Sequence, residues 1–185
     1  MIELALEVAH DLVPFTHGDS VGKSAEAIAH AKTELAKLDP ESVRAKLYEL
    51  QVLGGELPEV EMPLQHVYAP GLYARTIFIP AGTFVVGKIH KHRHVNTLSM
   101  GMVDVLTESG GVERLCGPMT MTSEPGTKRA LYAHTDLVWT TYHVLPRDNM
   151  TLDEIEDYVI APTYEAYERF LLEGEHHAID LQRAD

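Results

Sequence analysis

Only one cysteine and one tryptophan occur in 185 residues, and basic side chains are outnumbered, with 15 lysines and arginines against 28 aspartates and glutamates. The lone thiol, Cys116, cannot close an intrachain disulfide, which fits a reducing compartment, and a small buried hydrophobe is its expected role. A formal net charge of -13 repels nucleic acid and anionic membranes, so neither is an expected partner. No uninterrupted apolar run approaches the roughly 18 residues that span a bilayer, and Met1 to Pro14 lacks the basic start of a signal peptide. A soluble, cytoplasmic protein is the expectation. At this length one domain with a full hydrophobic core is affordable.

What is present divides into three stretches. Residues 1–57 read as a helical arm: Ala25 to Leu38 is rich in alanine, leucine, lysine and glutamate, and a second helix follows, with Asp39 as N-cap and Pro40 at its first position. Val43, Leu47, Leu50 and Val52 give that helix an apolar face, and Gly54-Gly55 ends it. Gly22-Lys23-Ser24 has the ending of a phosphate-binding loop, but position 17 is His17 where that loop needs glycine, so nucleotide binding is not expected. Residues 58–146 change texture to short β-branched and aromatic runs. Strands are expected at Leu64 to Ala69, Leu72 to Ile79, Thr83 to His90, His94 to Met100, Val103 to Glu108, Val112 to Cys116, Met119 to Ser123, Arg129 to Ala133 and Leu137 to His143. Pro-Gly and Gly-Gly pairs separate many of them. Residues 147–185 return to helix, first behind the capping box Thr151-x-x-Glu154, then from Thr163 to a stop at Gly174, with His176-His177 as a surface pair.

The stretch with most chemistry runs from Gly82 to Gly101. It reads Gly82, five residues, Lys88, one residue, His90, three residues, His94, six residues, Gly101. This spacing resembles the first signature of the cupin superfamily, glycine, five residues, His-x-His, three or four residues, glutamate, six residues, glycine. Lys88 stands at the first family histidine, His90 keeps the second, and His94 takes the glutamate position. The second family signature is glycine, five residues, Pro-x-Gly, two residues, histidine, three residues, asparagine. Here Arg129, after Pro125-Gly126, stands at its histidine position, Ala133 replaces the asparagine, the proline is shifted by one and Gly117 is off the expected distance. The resemblance covers Pro63 to His143 and implies a mainly β, double-sheet jelly-roll barrel flanked by N-terminal and C-terminal helical arms, a fold that commonly forms homo-oligomers. Ala69 to Arg75, and Pro125 to Arg129 through Trp139 to His143, also resemble small cupin-like proteins of tailed bacteriophages, which implies host cytoplasm or a virion as the setting.

The geometry of His90 and His94 depends on the chain between them. On one straight strand they would lie about 13 Å apart, too far to share an ion. The resemblance implies instead a hairpin with Lys91, His92 and Arg93 as its loop, which sets the two histidines face to face across paired strands and leaves His92 at a solvent-facing tip. The alternation His90, His92, His94 along one strand face is the rival grouping. Two imidazoles hold a divalent ion weakly, so a third group is needed; His134 is the first choice and His143 the second, with His92, Glu113 and Asp136 also candidates. Iron, manganese, nickel or zinc would suit such a site. Arg129 is always protonated and cannot replace an imidazole, but with Lys88 it can grip an anion. Trp139 is expected in the core.

These residues support a metal-binding cupin-type barrel taking a small anionic ligand, extending to a metal-dependent enzyme in which the metal is a Lewis acid or activates water or dioxygen. A non-catalytic barrel serving assembly or a virion is the alternative, since two family ligands are exchanged. A third reading, sugar or metabolite sensing without metal, needs Lys88 and Arg129 alone.

Overall fold

The computed structural model describes residues 39–55, 59–107 and 111–183. The expected helix from Ala25 to Leu38, the Gly22-Lys23-Ser24 triplet and the side chains of His176 and His177 lie outside the described residues.

Nine of the described strands form two antiparallel sheets. The first has five strands in the order β1 (Leu64–Ala69), β2 (Leu72–Ile79), β10 (Leu137–Val144), β5 (His94–Met100), β8 (Met119–Ser123). The second has four, β3 (Phe84–Val86), β9 (Arg129–Ala133), β6 (Met102–Thr107), β7 (Gly111–Cys116). Side chains alternate between the two faces of a strand, so every second residue enters the space between the sheets. Ile79, Leu98, Leu137 and Trp139 from one sheet meet Val103, Val105, Leu115 and Ala133 from the other in the main core. Leu98 and Leu137 are fully buried, each stabilising the fold by about 1.5–3 kcal/mol. Two facing antiparallel sheets with interdigitated inner faces make the mainly β, jelly-roll type of barrel that the sequence leads one to expect.

Helix α1 (Pro40–Gly55) lies on the outer face of the four-stranded sheet. Asp39 caps it by accepting a hydrogen bond from the Ser42 backbone N–H at 3.0 Å, and Val43, Leu47 and Leu50 pack on Leu106 and Ala130. Val52, expected on this apolar face, points to solvent at 67 % exposure, because it falls out of step with the 3.6-residue period of the other three. Helix α2 (Leu152–Val159) carries the complete capping box of Thr151 and Glu154. After it comes β11 (Ile160–Ala161), a strand too short to be legible in sequence, which pairs with β4 (Ile89–His90). Helix α3 (Tyr164–Arg183) starts where Thr163 accepts from the Ala166 N–H and runs through Gly174 without stopping, since one glycine costs a helix only about 1 kcal/mol. Cys116 sits exposed on the edge strand β7, contrary to the buried role expected of it: as the last residue of β7 it alternates away from the buried Leu115.

The two glycines that bound the motif have different duties. Both have positive φ, +78° at Gly82 and +101° at Gly101. A Cβ on Gly82 would meet nothing within 4 Å, whereas one on Gly101 would lie 2.2 Å from the Asp136 carbonyl oxygen. Gly82→Ala is expected to cost about 1 kcal/mol of backbone strain, and Gly101→Ala clearly more, since it adds a clash with main chain. Chemical denaturation of the two variants measures this; equal losses would contradict it.

Candidate metal and anion site

The strand expected over Thr83 to His90 is interrupted at Gly87-Lys88. Gly87 is held there by its N–H to the Arg129 carbonyl at 2.8 Å and by the Lys128 ammonium on its own carbonyl at 3.0 Å. Beyond the break, β4 leaves the four-stranded sheet and pairs with β11, while β5 joins the five-stranded sheet. His90 and His94 therefore do not face each other across a hairpin ladder. They meet across the gap between sheets, joined by the 91–93 turn, and their ring centroids are 4.2 Å apart.

The third imidazole beside them is that of His143 on β10, not His134. Its ring lies 5.1 Å from His90 and 5.0 Å from His94, and one ring nitrogen from each of the three falls within 4.8 Å of the others. Strand parity explains the exchange. Arg129, Leu131 and Ala133 of β9 point inward, so His134 emerges on the outer side, where it bonds Asp104 at 2.8 Å. Asp104 also takes both arms of Arg114, at 2.7 and 2.8 Å. Burial alone would push that carboxyl up, but the Arg114 and His134 hydrogen bonds hold it at about 2. His134 is thus engaged elsewhere, hydrogen-bonded to the buried Asp104 carboxylate. Glu113 is exposed on β7, and Asp136 is exposed and accepts the Ala81 N–H at 2.9 Å; neither joins the histidines. His92 is neither at a solvent tip nor in the cluster. It is half-buried, stacked on Tyr158 at 4.4 Å with Phe170 edge-on at 5.4 Å, because α2 and α3 cover the turn.

The three rings suit a cation chemically. His94 Nδ1 lies 3.0 Å from the His92 carbonyl oxygen, which only accepts, so Nδ1 carries the proton and Nε2 keeps its lone pair for a ligand. His90 Nδ1 is buried with no hydrogen-bond partner, an unmet group of the kind an ion would satisfy. Burial, then the neighbouring imidazoles and arginines, pushes His90 down to about 2 and His143 to about 4; burial also lowers His94. All three are neutral near pH 7, as metal coordination requires.

Beside His90 and His94 is a cavity of about 230 Å³, lined by residues of both sheets. Arg129 enters it from β9 with its Nε buried and unpartnered, and burial lowers its affinity for its proton. Arg75 on β2 enters from the opposite sheet and, like Arg129, makes no ion pair among the described residues. Lys88 contributes to the rim, but its ammonium pairs with Glu156 and is largely exposed. Among the described residues no acidic side chain lines the cavity. Beneath the histidines, buried Asn96 gives its amide N–H to Ser123 at 2.6 Å and accepts from Trp139 at 3.0 Å and Thr141 at 3.2 Å. Trp139 is thus core and cavity wall at once. Arg75 and Asn96 were missed in the sequence, although each is a polar residue at an inward position of an otherwise apolar strand face, which is a readable signal.

The lowered histidines give the fold a pH dependence. Unfolded histidine takes its proton near 6.5, whereas His143 does so in the fold only at about 4 and His90 at about 2. Between these values the unfolded state binds more protons, so stability is complete above 6.5 and is lost as the pH falls. The Tm of metal-free protein is expected to drop from pH 6.5 downward, at up to about 1.4 kcal/mol per pH unit for each histidine. His143→Gln should flatten the profile above its own titration near 4; an unchanged slope would contradict neutral burial of that ring.

No family model matches the chain, and no curated protein matches it in sequence. Among solved structures it is similar to ectoine synthase from P. lautus, with a TM-score of 0.45 and 15 % identity over 63 % of this chain and 88 % of that one. It is also similar to KdgF from Halomonas sp., with a TM-score of 0.40 and 20 % identity over 51 % of this chain and 91 % of that one. The cupin domain of Schizosaccharomyces pombe Cnp3 gives a TM-score of 0.39 and 11 % identity over 49 % of this chain and 71 % of that one.

Proposed function

We propose that this protein is a metal-binding barrel that holds one divalent transition metal on His90, His94 and His143 and takes a small anionic ligand against Arg129 and Arg75. The observation that carries the reading is the trio of neutral, inward-facing imidazoles whose ring nitrogens lie within 4.8 Å of one another. Three nitrogen donors with positions left open suit iron, manganese, nickel or zinc. Bound there, the metal would supply Lewis acidity, or activate water or dioxygen. The chain's own contribution is orientation and charge: His92 fixes the His94 tautomer through its carbonyl, and the two guanidiniums offer forks that fit an oxyanion. The barrel of a purely structural protein would have no call to keep three unprotonated imidazoles together beside unpaired arginines, which weighs against a decayed, assembly-only module.

Elemental analysis of untagged protein tests the metal. About one equivalent of a transition metal per chain is expected in the parent protein and in His134→Ala, and less than a tenth of that in His94→Ala and His143→Ala, since loss of one of three ligands weakens such a site by orders of magnitude. Metal retained in His143→Ala and lost in His134→Ala would overturn the assignment.

A further inference from the structure

The charged and imidazole side chains of the cavity lie towards its His94 end, where Arg75 on β2 stands level with Thr141 and Asn96. Its polar floor is already satisfied internally, with Asn96 bonded to Ser123, Trp139 and Thr141. The unmet polar groups are the His90 Nδ1 and the Arg129 Nε, and the unpaired Arg75 belongs to the same end. Arg75 on β2 and Arg129 on β9 enter this cavity with His90 from opposite sheets, and the positive charge of both disfavours a proton on that ring. From there the lining turns apolar, with Ile77, Val85, Leu131 and Trp139. Ile77, Val85 and Leu131 face the barrel interior yet remain only half-buried, and they pack against the main core from the cavity side.

We infer that the ligand is a compact carboxylic acid with a single anionic head and an apolar tail: the head lies between Arg75 and Arg129 beside His90, and the tail extends along Ile77, Val85 and Leu131 towards Trp139. The inference rests on the anion-binding reading above and adds the polarity of the rest of the molecule. A second charged head would have to sit among apolar side chains, beside an amide that already makes three hydrogen bonds within the barrel, where little compensates its lost hydration. An apolar tail there removes surface from water on both sides, and each methylene strengthens binding by about fourfold until the cavity is full.

Trp139 is the only tryptophan in the chain, so its fluorescence reports on this cavity directly. The metal-loaded protein is titrated with acetate, butyrate, hexanoate and phenylacetate, with hexanamide as the neutral control and with succinate and inorganic phosphate as multiply charged ones. Affinity is expected to rise with tail length, hexanoate at least about tenfold above acetate. Hexanamide should bind about tenfold or more below hexanoate, and Arg129→Gln should weaken every acid by a similar factor without changing the dependence on length. Leu131→Phe should erase the length dependence and spare acetate. A flat series, or succinate or phosphate binding tighter than hexanoate, overturns the tail while leaving the anion site in place, provided Arg129→Gln still weakens binding. Absence of binding by every anion, in protein that holds its metal by elemental analysis, overturns the anion reading itself.

Discussion

A primary amide sealed inside a sheet must find all its partners there, since water cannot reach it and an unmet donor or acceptor costs about 1–3 kcal/mol. Asn96 answers most of that demand by drawing together three strands: Ser123 of β8 receives one of its N–H groups, and Trp139 and Thr141 of β10 donate to its oxygen. Because the side-chain period of a strand is two, this arrangement also fixes what comes next along each strand. Two residues from Asn96 is His94, two from Thr141 is His143, and both then point into the same end of the barrel. A slip of one residue in β5 would turn Asn96 and His94 outward together, and one in β10 would turn Thr141 and His143, so the hydrogen-bonded hub and the candidate site stand or fall on one register.

Charge is distributed against the average of the chain. With 28 acids in the sequence, a cavity lined among the described residues by two arginines without ion pairs, a lysine at its rim and no carboxylate is a local inversion of the global field. The rim lysine, Lys88, is matched by Glu156, and away from the cavity Arg114 pairs with Asp104, Arg93 with Glu124 and Arg147 with Glu154. The buried match, at Asp104, stabilises the outer side of the four-stranded sheet, where His134 completes it. Of the cavity cations, Arg75 and Arg129 alone keep their hydration cost unrepaid by any ion pair within the described chain.

Most strands were legible because turn residues punctuate them and β-branched or aromatic residues fill them; Leu64–Ala69, Leu72–Ile79, His94–Met100, Met119–Ser123 and Arg129–Ala133 have the expected bounds. Sequence could not reveal that the run from Thr83 to His90 changes sheets, since alternation describes a strand's faces and carries no information about its neighbour. The same blindness put His134 ahead of His143. His134 is nearer to Arg129 along the chain, but parity along β9 turns it outward, whereas the parity of Leu137, Trp139 and Thr141 brings His143 in. Lys88 was placed by its motif position, and there the break at Gly87 frees its side chain to reach Glu156 instead. Spacing thus identified the pair His90 and His94, and only tertiary pairing could supply their third neighbour.

The two-residue strand β11 has a bearing on when the site comes into being. Ile160 pairs with His90 and Ala161 with Ile89, so the backbone of a candidate ligand is held in place by a segment near the far end of the chain. Contacts between remote parts of a sequence close late, because the loop between them must first be ordered. During synthesis the two sheets can associate before α2 and β11 have emerged from the ribosome, but His90 acquires its ladder partner only afterwards. The backbone of His90 therefore reaches its place beside His94 and His143 only once this remote pairing has formed.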